Sequence, residues 1–125
     1  MPASARWMLA AAAFLAALAV LFGAVGAYAL KARLAPDALA LWQTAVQYQM
    51  WHALALLAIG LVGLQSAPSA WLRAAAVFFA CGIVLFCGSL YALALGAPRG
   101  LGMATPLGGT AFIAGWLSLA IWVLR

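Results

Sequence analysis

Four apolar runs, at about residues 7–30, 46–64, 71–95 and 105–124, take up most of this 125-residue chain. Each is close to the ~20 residues that one helical bilayer crossing needs. The breaks between them are too short to build a domain outside the membrane. A water-soluble core is excluded by composition: 70% of the residues are hydrophobic and 6% charged, whereas soluble domains carry about 25% charged residues. No polar surface exists to cover so much apolar side chain, so the surface must face lipid. The expected fold is all-α, a four-helix transmembrane bundle with short loops, forming one domain over residues 1–125.

The breaks show where helices start and stop. Pro36-Asp37 reads as a helix start. The most apolar part of the second run, 50–64, covers only ~22 Å. That helix is therefore expected to begin earlier and to carry Gln47, Tyr48 and Gln49 into the interface or just below it. Residues 65–69 and 96–102 read as turns, and Thr105-Pro106 as the N-cap and first residue of the fourth helix. Arg6, the first run and Ala27-Tyr28-Ala29 follow the order of a secretory signal. The run exceeds the ~7–15 apolar residues of such signals, so an uncleaved first helix is expected.

The net charge of +5 does not indicate nucleic acid. Arg6, Lys31, Arg33, Arg73, Arg99 and Arg125 stand singly at the ends of apolar runs, with no cluster to follow a phosphate backbone. They suit headgroups instead. Four spans put Arg6, Arg73 and Arg125 at one end beside Trp7, Trp71 and Trp122. Lys31, Arg33, Asp37, Trp42 and Arg99 fall at the other. With three basic side chains at each end, only the amino group and Asp37 tilt the expectation towards both termini inside.

Polar chemistry is scarce. Thr44, Tyr48, His52 and Ala55 share one face of the second helix. Either Tyr48 and His52 bond to neighbouring helices and fix the bundle, or they line a pocket for a lipid headgroup, a quinone or a proton. His52 is the only histidine, which excludes bis-His haem ligation and a His-rich metal site. Asp37, the only carboxylate, lies ~22 Å from His52 along a continuous helix, so a triad with Ser89 is not expected. A proton-coupled cation exporter would need a carboxylate within a span, and none is present. Cys81 and Cys87, ~9 Å apart along a helix, suit neither a disulfide nor a shared metal.

Small residues mark expected helix contacts: Ala19, Gly23 and Ala27; Gly88, Ala92 and Gly96, with Cys81 on the same arc; and Gly108, Ala111, Gly115 and Ser118. These seams point to packing within the chain, with homo-oligomer contacts as their other use. The start of the fourth helix, with Pro106 lacking an N–H and Gly108 and Gly109 lacking side chains, is expected to present free N–H groups. Lys31, Arg33 and Arg99 fall on the same side. The candidate polar site is therefore Gln47, Tyr48, His52, Ser89, Thr105, Gly108 and Gly109, able to accept an anionic or carbonyl group, unless a side chain such as Gln47 or Tyr48 caps those N–H groups.

Four segments occur in order: Phe22-Gly23-Ala24-Val25-Gly26-Ala27, Gln47-Tyr48-Gln49-Met50-Trp51-His52-Ala53-Leu54, Leu85-Phe86-Cys87-Gly88-Ser89-Leu90-Tyr91 and Thr105-Pro106-Leu107-Gly108-Gly109. Together they resemble the YgdD-like family of small membrane proteins, a domain of unknown function. The resemblance covers essentially the whole chain. It implies a four-span protein of the bacterial inner membrane and adds no reaction. Where relatives commonly have histidine, this chain has Tyr28; where they often have serine, it has Cys87. The first departure argues against a mechanism that needs two histidines.

The expected function is that of a non-enzymatic membrane protein, without cofactor, that binds membrane lipids or another membrane protein. The alternative is a small carrier or channel for a solute. A water-filled cavity among the helices would favour the carrier, and a closed dry bundle the binding protein.

Overall fold

The computed structural model describes residues 1–125. Four helices, each long and apolar enough to span a membrane, follow one another: α1 (Ala3–Leu30), α2 (Pro36–Gly63), α3 (Ala70–Ala94) and α4 (Arg99–Leu124). The chain is an all-α transmembrane bundle. Pro36 opens α2, where a fixed φ is preorganised and the missing N–H costs nothing. Gly96, at φ 98°, closes α3: Gly96 N–H bonds to Leu93 O and Ala97 N–H to Ala92 O, a left-handed cap that a side chain would strain.

Hairpin pairing organises the bundle. α1 packs chiefly on α2 and α3 on α4, while α2 also packs along α3. α2 and α4 meet through side chains rather than by close backbone approach. Met8, Leu56, Ile59, Leu72, Phe79, Ile83, Leu90 and Phe112 fill the centre. Leu18, Val20, Leu61, Val84, Leu117 and Val123 are exposed, as a lipid-facing surface requires. The Arg125 guanidinium donates to Ser69 Oγ at 3.0 Å. The C-terminus and the α2–α3 turn therefore share one end of the bundle.

The small-residue seams divide. Gly108, Gly115 and Ser118 on α4 are buried, and Ala19 on α1 likewise, whereas Ala27 is exposed. The expected seam on α3 is corrected. Gly88 and Gly96 are exposed, Cys81 is exposed too, and a Cβ built on Gly88 meets nothing within 4 Å. α3 packs instead through the opposite stripe, Leu72, Phe79, Ile83 and Leu90. The cause is the solvent: lipid is as apolar as a helix face, so small residues carry no information on which way they point.

α1 and α3 each contain one local change of pitch where they admit a neighbour. Gly26–Leu30 and Ile83–Cys87 are π-helical turns. The first lies against the Trp42 indole, whose Nε1–H donates to Phe22 O at 2.8 Å. Trp42 is buried, not the interfacial anchor its neighbours Lys31 and Arg33 suggested. The second lies where Gly108 brings α4 onto the Phe86 backbone.

Candidate functional site

His52 stands on α2 with Tyr48 one turn before it, 5% exposed and facing its neighbours as expected. Its Nδ1 lies 2.7 Å from Tyr48 O, and the Trp116 Nε1–H donates to its Nε2 at 3.1 Å. A carbonyl only accepts and an indole N–H only donates, so the imidazole is neutral with its proton on Nδ1. Phe112 stacks on the ring at 3.7 Å and 11°, and Phe79 closes another side at 5.4 Å. Both ring nitrogens are engaged. His52 thus locks α2 to α4 across the gap that their backbones leave open.

That gap is a groove of about 500 Å³ at the surface of the bundle. Its walls are Tyr48, His52, Phe86, Phe112, Ile113 and Trp116, with Pro106, Gly109 and Thr110 along α4. Tyr48 contributes the one unengaged donor. Every enclosed side-chain nitrogen or oxygen has a partner, and the hydroxyl of Tyr48, a half-buried residue lining the groove, bonds to no protein group. Its ring is held by Phe86 at 4.6 Å and Trp51 at 5.2 Å. Gly109 leaves room beneath: a Cβ there would lie 3.8 Å from Phe86, an ordinary contact.

The remaining candidates sort into three places. Tyr48, His52 and Gly109 come together in the groove. Ser89 and Thr105 bond to each other at 2.6 Å, with Ser89 Oγ also donating to Phe86 O at 2.9 Å, so they tie α3 to α4 outside it. Gln47 is exposed on the other side of α2, against Gly23, Gly26 and Ala27 of α1. Gly108 is buried as a close-packing point, not as a ligand surface.

Two features of the expected site are corrected. The fourth helix has no bare N-terminus at Thr105, because a 3-10 turn over Arg99–Met103 runs into it and Ala104 N–H bonds to Leu101 and Gly102 carbonyls. Thr105 therefore bonds to Ser89 rather than capping, and Pro106 falls within the first α-helical turn, where its missing N–H costs little. The groove also lies farther from the helix ends than expected. Tyr48 lies ~18 Å along α2 from Pro36 and ~22 Å from Gly63, near the middle of the helix. Lys31, Arg33 and Arg99 do not line it.

Sequence reasoning passed over the most enclosed polar pair. Gln49, 2% exposed, donates from Nε2 to Leu15 O at 2.8 Å and accepts from the Tyr91 hydroxyl at 2.7 Å. One side chain thereby joins three helices. Tyr91 in turn packs on Trp42 at 4.6 Å and Phe22 at 5.0 Å. The available signal was the register of Gln49 with Ala45, Ala53 and Leu56, a stripe that is fully buried. Tyr28 is 87% exposed on α1 and does not line the groove at His52.

The fold and these contacts define a small multi-pass membrane protein with satisfied internal polar bonds and a laterally placed aromatic groove. The family model "Protein of unknown function (DUF423)" matches residues 22–109. A UPF0382 membrane protein of Staphylococcus epidermidis is 47% identical over 111 residues, covering 88% of each chain. The UPF0382 inner membrane protein YgdD of Escherichia coli is 38% identical over 122 residues, 98% of this chain and 92% of its own. The chain belongs to this DUF423, or UPF0382, family and is a multi-pass protein of the bacterial inner membrane. No solved structure matches it.

Proposed function

We propose that the protein is a non-enzymatic lipid-binding protein of the membrane, and that the α2–α4 groove is where it binds. The observation that carries this is the groove itself: about 500 Å³, aromatic-walled, lined on two sides by transmembrane helices. Its size falls within the ~300–1,000 Å³ of small-molecule sites. The bundle axis, by contrast, is filled by Leu56, Ile59 and Phe79, which favours a binding protein over a carrier. The engaged imidazole of His52 supports a positioning role for that residue rather than proton transfer.

Native mass spectrometry of the full chain, released from its own membranes, tests the reading. Wild type is expected to retain one lipid molecule, and Gly109→Leu to lose it, since that side chain enters the groove from a position with no tight neighbour. A wild-type protein released without lipid, or a variant that retains the same lipid, would refute the groove.

A further inference from the structure

We infer that the groove takes a neutral, planar, carbonyl-bearing lipid of the isoprenoid quinone class rather than a phospholipid. This rests on the lipid-binding reading and narrows it to one ligand chemistry.

Depth argues first. The Tyr48 hydroxyl belongs to a residue near the middle of a 28-residue spanning helix, while phosphate and ammonium headgroups stay at the bilayer surface because burying their charge is costly. A ligand that places a polar atom beside Tyr48 must therefore be uncharged. Hydrogen bonding argues second. His52 is engaged on both nitrogens and Trp116 Nε1 is spent on His52, which leaves one O–H donor at the groove. The matching ligand group is a hydrogen-bond acceptor without a charge, such as a ring carbonyl. Shape argues third. Tyr48, Phe86, Phe112 and Trp116 present flat walls, and Trp116 is fixed edge-on to His52 at 5.9 Å and 63°. Aromatic walls favour a second planar ring by offset or edge contact. A saturated acyl chain gains nothing from either the phenol or the ring geometry. The groove lies at the surface of the bundle, so an isoprenoid tail can remain among the lipids while the ring docks.

The test uses the purified full chain in phosphatidylglycerol nanodiscs and a decyl-substituted benzoquinone as probe, with binding read by tryptophan fluorescence quenching. Saturable quenching is expected in wild type. Tyr48→Phe should weaken it about tenfold, the scale of one hydrogen bond, and Gly109→Leu should abolish it. Ile113→Trp, which fills the groove from the other side of Gly109, serves if Gly109→Leu fails to fold. No saturable quenching, or quenching unchanged in Tyr48→Phe, overturns the quinone assignment. If native mass spectrometry then shows a phospholipid lost from Gly109→Leu, the lipid-binding reading stands without the quinone. If it shows no lipid, both fall.

Discussion

Gly108→Ala is expected to destabilise the protein by about 3 kcal/mol or more, because its methyl has nowhere to go. A Cβ at this position would come within 2.7 Å of Phe86 Cα and closer still to Phe86 N. The obstacle is backbone, so no rotamer change relieves it, and α4 must move off α3. Such a shift would also pull Thr105 from Ser89 and Trp116 from His52, since both bonds cross to α4. The thermal unfolding midpoint in detergent and the yield of monodisperse protein are the readouts. Gly88→Leu is the paired control. It places a large side chain where nothing lies within 4 Å, on the lipid side, and should stay within about 0.5 kcal/mol of wild type. If the two variants behave alike, the close approach of α3 and α4 at residue 108 is wrong.

This pair also shows which part of the structure could be read from the residues. The number of helices was legible because hydrocarbon demands ~20-residue apolar helices with internally satisfied backbones. Proline at the start of α2 and glycine at the end of α3 fixed two boundaries directly. The inward face of α3 was not legible. In water, hydrophobicity tells inside from outside. In lipid both faces are apolar, and a glycine at the helix contact looks the same as a glycine facing acyl chains. Only Gly108, and not Gly88, has a backbone against it.

Polar residues carry more information in this solvent than apolar ones. The cost of leaving an imidazole unpaired predicts that His52 faces inward, and it does. The same cost applies to Gln49, which a membrane span counted from about residue 46 puts at the interface although the helix itself starts at Pro36. α2 begins at Pro36, so Gln49 lies mid-span, where its carboxamide must find partners on two other helices. The assembly of Tyr48 with Gly109 depended on a different property: the side-chain bridge between α2 and α4, two helices that are not neighbours in sequence. The bare helix start expected at Thr105 is absent because residues 99–103 continue the helix as a tighter turn.

The Gln49–Tyr91 bond has the second-largest expected effect, and its measurement separates a bond that holds three helices from a pair that merely sits together. Gln49→Leu keeps the volume but leaves the Tyr91 hydroxyl buried without an acceptor and removes the link to Leu15 O. Tyr91→Phe keeps the ring against Trp42 and Phe22 but leaves the Gln49 carboxamide oxygen without its donor. Each single change should cost about 1–3 kcal/mol, the penalty of an unsatisfied buried group. The double variant, Gln49→Leu with Tyr91→Phe, removes both ends and should cost less than the two singles added. In a bilayer the unfolded helices also find polar partners, which caps such couplings near ~1.7 kcal/mol. A coupling of about 1 kcal/mol is therefore the expected value. Thermal unfolding of wild type, both singles and the double in one detergent closes the cycle. Strict additivity would mean that Gln49 and Tyr91 act independently, and that the three-helix junction is held by aromatic packing around Trp42 alone.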